Sequence, residues 1–216
     1  MSPRGRQATV HHPLFARCYA RLATAMEAQG AADLRDELLQ DTTGRVLEVG
    51  AGSGANFAHY PRGVDQVVAV EPEAYLRELA EQAAARAPVP VTVVDGLAEQ
   101  LPVADGSVDT AVLSLVLCSV PDQAAALAEV HRVLRPGGRL HFWEHVRSER
   151  PRHARIQGVL DATVWPRLGG GCHAARDTAS AIEAAGFGVE RMRRFPFPER
   201  GLTPTRPQIL GVAIRP

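Results

Sequence analysis

The chain of 216 residues contains no lysine, and all 24 of its basic side chains are arginine. With alanine abundant, this reads as a G+C-rich coding bias before it reads as a function. It also excludes any Tyr-x-x-x-Lys catalytic pair. Cysteine is scarce: Cys18, Cys118 and Cys172 are odd in number and far apart. That excludes a disulfide framework and predicts reducing, cytoplasmic surroundings. No Cys/His/Asp spacing matches a structural zinc motif, so no metal is expected, and His11-His12 is too short for a metal tract. Neither charge dominates, with 24 acidic residues against 24 basic ones, so no global field draws nucleic acid or an anionic membrane. No basic stripe with interleaved aromatics stands out, and Arg191, Arg193 and Arg194 read as a solvated strand edge. No apolar run approaches a membrane span, and the N-terminal arginines precede no hydrophobic signal core. A soluble intracellular protein without a membrane anchor is expected. Repeats and low-complexity segments are absent, and nothing bears on oligomeric state.

What is present is alternation. From Pro13 to about Gln40, apolar residues fall at helical spacing, first Leu14, Phe15, Tyr19, Leu22 and Met26, then Leu34, Leu38 and Leu39, with a break near Gly30. Strands are predicted at Arg45 to Val49, Gln66 to Val70, Val91 to Val94, Ala111 to Leu117 and Arg139 to Trp143. Between them the pattern predicts helices at Ala55 to His59, Glu73 to Arg86 and Gln123 to Leu134, the last stopped by Arg135-Pro136-Gly137-Gly138. Ser148 to Arg176, with its tryptophan, prolines and Gly169 to Gly171, reads as an irregular, lid-like insertion (about 148–176). A helix at Thr178 to Ala185 and strands near Val189 to Phe195 and Gln208 to Ile214 complete the chain. The expectation is a single α/β domain over residues 1–216: a doubly wound, seven-stranded, mostly parallel sheet with an antiparallel C-terminal strand and an N-terminal helical cap (about 13–40).

The densest motif is Val46-Leu47-Glu48-Val49-Gly50-Ala51-Gly52-Ser53-Gly54-Ala55-Asn56, where a buried strand runs into a glycine turn. Such a turn lets a ligand lie against the main chain. Gly50, Gly52 and Ala55 satisfy the loose dinucleotide fingerprint, so NAD(P) stands as one tenant. Glu48 would repel a pyrophosphate and suits a cation, so S-adenosylmethionine, with an ammonium, a sulfonium and no phosphate, stands as the other. Glu71, at the end of the next strand, would grip ribose hydroxyls of either cofactor. The glycine turn, Glu71, Gly96 to Glu99, Ser114 to Ser119 and Glu144-His145 all fall at strand carboxyl ends, where open α/β sheets bind ligands.

Four blocks together, Val46 to Gly54, Val68 to Pro72, Gly96 to Pro102 with Asp105 to Asp109, and Arg132 to Gly138, resemble the class I S-adenosylmethionine-dependent methyltransferases over nearly the whole chain. The resemblance implies that Glu48, Gly50, Ala51, Gly52, Ser53, Gly54 and Asn56 hold the amino acid end of the cofactor. It likewise implies that Glu71 and Pro72 hold the ribose, Gly96, Leu97 and Ala98 the adenine, and that Leu115 lines the same site. Leu97 replaces an aspartate common in the family, which leaves adenine to backbone, apolar contact or Asp95. A narrower likeness runs through Leu115 to Val120, Phe142 to Val146, and Leu160-Asp161 through Trp165 to His173. These resemble a branch whose animal members, which carry an N-terminal membrane anchor not expected here, S-methylate small alkyl thiols; bacterial small-molecule methyltransferases share it. The implied reaction is methyl transfer to a small molecule, possible acceptors including a thiol, with S-adenosyl-L-homocysteine as product.

Such a reaction needs positioning more than a strong catalytic group. If the acceptor loses a proton, a neutral histidine is the natural recipient. His145 reads either as that base or as a partner of Glu144 or the insertion. His173, beside Cys172, is the second candidate, read against a packed cysteine with a capping histidine. Cys118 reads as a small buried hydrophobe, and Tyr19 as a cap over the cofactor or as core. Trp143, Trp165 and Phe195 read as a pocket wall or as core. A nicotinamide oxidoreductase and a non-catalytic cofactor-binding protein are the alternatives.

Overall fold

The computed structural model describes residues 26–199, 201 and 203–216. A helical turn, Glu27–Ala31, leads into α1, Ala32–Leu39, and the expected break is there, with Gly30 at φ +97°. There follow β1 (Gly44–Val49), a single 3-10 turn (Phe57–His59), β2 (Val64–Val70), α2 (Ala74–Ala84), β3 (Val91–Val94) and β4 (Val108–Ser114). Next come α3 (Gln123–Val133), β5 (Leu134–His145), α4 (Pro151–Thr163), α5 (Trp165–Leu168), α6 (Thr178–Ala184), β6 (Gly188–Pro196) and β7 (Pro207–Ile214). Acidic side chains cap three of the helices: Glu73 accepts from Leu76 N, Asp122 from Ala125 N and Asp177 from Ser180 N, offsetting the unpaired amides of a first turn. No helix among the described residues is long and apolar enough to cross a membrane.

All seven strands form one sheet in the order β3-β2-β1-β4-β5-β7-β6. The first five pair in parallel, as the alternation predicts, and β7, the expected antiparallel C-terminal strand, runs antiparallel to both β5 and β6. Chain order reverses between β1 and β4, so their carboxyl ends open the crevice. Side chains alternate across β1: Leu47 and Val49 enter the core on the α3 and α6 side, while Val46 enters the one on the α1 and α2 side. By that period Glu48 shares the face of Val46. On the outer edge β6 is mostly exposed, and Arg191, Arg193 and Arg194 pair with Asp41, Glu37 and Glu149. Charged edges of this kind discourage strand pairing with another chain.

Three local expectations change. The run Ala111 to Leu117 does not stay a strand: β4 ends at Ser114, and Leu115 turns away with φ +60°, the one non-glycine positive φ among the described residues. The helix expected at Ala55 to His59 shrinks to the single turn at Phe57–His59. The 148–176 segment is regular, because α4 and α5 fill much of it, with Pro151 at the helix start where its missing N–H costs nothing. Gln157, fully buried, fastens α4 down. Its Oε1 accepts from Ser148 N (2.7 Å), and its Nε2 donates to the carbonyls of Val146 (3.2 Å), Ala174 (2.8 Å) and Pro204 (2.8 Å).

Candidate cofactor and acceptor site

The glycine turn is stitched to β2, where Gly50 and Ala51 N–H both donate to Val70 O at 2.8 and 3.0 Å. Gly50, Gly52 and Gly54 have φ of +67°, +57° and +79°, a region that costs other residues. At Gly50 a Cβ would sit 2.7 Å from Val116 Cγ2, so the turn and the segment after β4 approach closely. Gly54 faces inward, toward the Phe57 ring and Ala83.

Beside this turn lies a small cleft lined by Arg35, Glu48, Gly50, Ala51, Ser53, Ala55, Asn56 and Ser114. Glu48 is buried and accepts from Tyr60 OH (2.6 Å) and Asn56 Nδ2 (2.9 Å). Burial pushes its carboxyl up to about 7, against the pull of those two bonds and of Arg35. Arg35, on α1, donates from Nη1 to Asn56 Oδ1 (2.6 Å) and from Nε to Glu27 (2.8 Å), with its guanidinium 5.5 Å from the centroid of the Trp143 ring. The cleft thus offers one cation and one carboxyl group, linked through Asn56.

Glu71 is buried rather than solvated. Its Oε2 accepts from Gly52 N (2.7 Å) and its Oε1 from Glu73 N (2.9 Å), while burial raises its pKa. Each oxygen keeps a lone pair for a hydroxyl donor. Beyond β3, Gly96 packs against Pro102 and Val70, Leu97 bridges to Gln100, and Ala98 is buried beside Val70 and Leu101. Asp95 is exposed and paired with Arg77. Pro72 O accepts from Arg77 as well.

At the ends of β4 and β5 a second constellation forms. Leu115 N donates to Trp143 O (2.7 Å), and the fully buried Glu144 gathers the next three amides: Val116 and Leu117 N at 2.9 Å on Oε1, Cys118 N at 3.2 Å on Oε2. Burial nevertheless pushes Glu144 up to about 7. His145, partly exposed, directs Nδ1 at Cys172 Sγ, 3.5 Å away; of its two expected partners it takes the insertion. Cys118 and Cys172 are both buried free thiols. The neighbouring Cys118, with His145 alongside, holds the Cys172 thiol well below its ordinary value, and the closeness of Cys172 together with burial drives Cys118 up. His173 turns elsewhere, with Nδ1 3.5 Å from Asp161 and its backbone N–H on Cys118 O (2.7 Å).

The structure therefore gathers Glu48, Gly50, Ala51, Ser53 and Asn56 on one cleft, links Gly52 to Glu71, and sets Gly54 against Phe57 and Ala83. Tyr19 lies outside the described residues. Trp143 is fully buried core. Arg35 and Tyr60 carry no motif signal, since each reaches Glu48 or Asn56 from outside the glycine turn. Cys118, His145 and Cys172 meet only through the sheet order, which linear spacing does not reveal.

A family model described as a methyltransferase domain matches residues 47–142. The chain is 39% identical over 184 residues to the thiol S-methyltransferase TMT1B of Mus musculus, covering 82% of this chain and 74% of that one. It is also 39% identical over 176 residues to the thiol S-methyltransferase TMT1A of Homo sapiens, covering 79% and 70%. In fold, a solved S-adenosylmethionine-dependent methyltransferase from Thermotoga maritima superposes with a TM-score of 0.67 at 21% identity, covering 93% of this chain and 95% of that one. None of these proteins is a nicotinamide oxidoreductase, and Glu48 within the cleft argues against a pyrophosphate on the same physical ground as before. The chain belongs to the class I S-adenosylmethionine-dependent methyltransferases, in the branch that resembles the animal thiol S-methyltransferases.

Proposed function

We propose that the chain methylates the sulfur of a small thiol. The likeness to thiol S-methyltransferases across four-fifths of the sequence carries this reading. In it, Arg35 takes the carboxylate of the cofactor's methionine part and Glu48 takes its ammonium, a match of opposite charges to a zwitterion. Glu71 accepts from the ribose hydroxyls, and Leu97 and Ala98 cover the adenine with backbone and apolar contact. When bound, S-adenosylmethionine supplies an activated methyl group, and the acceptor sulfur bonds to it as the old carbon–sulfur bond breaks. The chain's own contribution is alignment and dryness. Gly50 against Val116 sets the floor, Leu115 to Cys118 form the wall, and the 148–176 segment is the acceptor-side cover that Gln157 holds in place. The buried free thiols also fit a reducing compartment, so we assign the protein to the cytoplasm.

His145 is the acceptor-side residue on which turnover depends. His145→Ala should lower kcat on the order of 100-fold with cofactor affinity essentially unchanged, whereas His173→Ala should act first on the stability of the Asp161 contact. The test is S-adenosylhomocysteine release against a panel of alkyl thiols, phenols and amines. Turnover with thiols is expected; cofactor binding without turnover across the panel would make this a non-catalytic binding protein instead.

A further inference from the structure

Three ligand atoms converge at the acceptor side. Cys118 Sγ, Cys172 Sγ and a ring nitrogen of His145 all lie within 4.8 Å of one another, with His145 Nδ1 3.5 Å from Cys172 Sγ. They come from the turn after β4, the last residue of β5 and the loop after α5. Tetrahedral zinc, with bonds of about 2.3 Å to sulfur and 2.0–2.1 Å to nitrogen, sets nitrogen and sulfur about 3.6 Å apart and two sulfurs about 3.8 Å apart. The imidazole–sulfur separation matches the first of these. We propose that Cys118, His145 and Cys172 are three ligands of a zinc-class divalent cation, with the fourth coordination position open.

The surroundings favour a cation of that class. Thiolate and imidazole select zinc over magnesium or calcium, which demand oxygen. The neighbouring carboxylate does not compete, because Glu144 is committed to the amides of residues 116–118, nor does His173, which faces Asp161. The two cysteine segments are locked together in advance: His173 N donates to Cys118 O at 2.7 Å and Arg176 Nη1 to Leu117 O at 2.5 Å. Across Gly169 the indole N–H of Trp165 lies close to Cys172, and it is buried without a hydrogen-bond partner among the described residues. An unspent buried donor beside a cysteine is the kind of outer partner that a metal-bound thiolate uses. With both sulfurs buried and His145 partly exposed, the open position is reached from the His145 side. Resting on the thiol reading above, that position takes the acceptor: the cation binds its sulfur, the S–H bond breaks, the proton goes to water, and a thiolate remains.

Chelator-stripped, reduced full-length protein is titrated with zinc against a competing chromophoric chelator, and separately with cobalt. The expected result is one zinc per chain and a cobalt spectrum with an intense thiolate-to-metal band. Cys172→Ser and His145→Ala should each weaken zinc by at least the roughly 100-fold that losing even a supporting partner can cost, while His173→Ala binds as the parent does. S-Adenosylhomocysteine binding by each variant reports that it is folded, and if Cys172→Ser fails to fold, His145→Ala and the parent's cobalt spectrum decide. Equal zinc affinity in the parent and both ligand variants, or cobalt binding without the thiolate band, overturns the site. So does a Cys118–Cys172 disulfide that forms with oxidised glutathione equally fast whether or not zinc is present. Methyl transfer is read separately, so a chain that binds zinc but methylates no thiol keeps this site and loses the thiol acceptor.

Discussion

Glu48 is held between opposing demands, since burial pushes its proton on while Tyr60, Asn56 and Arg35 pull it off. With a carboxyl near 7 in the free protein, a cofactor ammonium would favour the charged form, so binding expels a proton. Affinity should then fall as pH drops below about 7, by at most tenfold per unit. Arg35, Tyr60 and Glu71 also face this carboxyl. Titration calorimetry with S-adenosylhomocysteine should show that Glu48→Gln weakens binding about tenfold above neutral pH and removes most of the slope; what remains belongs to Glu71. An undiminished slope would separate Glu48 from the ammonium. Gly54 offers a different residue-scale test. Gly54→Ala places a methyl 2.7 Å from the Phe57 ring and 2.8 Å from Ala83 at φ +79°, and should cost about 1–3 kcal/mol in urea unfolding.

The element most exposed to a single change is the turn of residues 115–119. Glu144→Ala leaves three buried amides without their acceptor, and each unmade bond costs about 1–3 kcal/mol, so global stability should fall by roughly 3 kcal/mol once water relieves part of the loss. Hydrogen exchange should rise first at Val116, Leu117 and Cys118; unaltered protection there would mean that the turn is held by something else. This turn was illegible in the sequence for a physical reason. Leu115 to Leu117 are apolar and half to fully buried, as a strand would be, and a leucine gives no hint of positive φ. The α4 segment hid itself in the opposite way. Ile156 and Val159 point to solvent, and only Ala154 and Gln157 are buried, so no apolar stripe marks the helix; a glutamine fastens it. The glycine turn and Glu71 were readable because each closes a contiguous strand-to-turn run of its own, and the bonds of Gly50 and Ala51 N–H to Val70 O and of Gly52 N–H to Glu71 then tie the two runs together.

At the scale of the whole molecule, alternating strands and helices were enough to give the parallel part of the sheet and the crevice at β1 and β4, while the expected antiparallel β7 follows β6 with no helix between them. The parts of the site supplied by topology were not readable: Arg35 comes from α1, and Cys118, His145 and Cys172 meet only once β4, β5 and the insertion are in place. In the proposed reading, the cofactor half is drawn from the glycine turn together with Arg35, Glu71 and the loop at residues 96–98, and the acceptor half from residues scattered more widely still. The most direct test follows a methyl group from one half to the other. The protein is given S-adenosylmethionine labelled in the methyl, together with an alkyl thiol and its alcohol isostere in equal amounts, and products are weighed by mass spectrometry. Label in the thioether, matched mole for mole by S-adenosylhomocysteine and missing from the alcohol, is the predicted result; label shared with the alcohol, or found on neither while the cofactor remains bound, would contradict it.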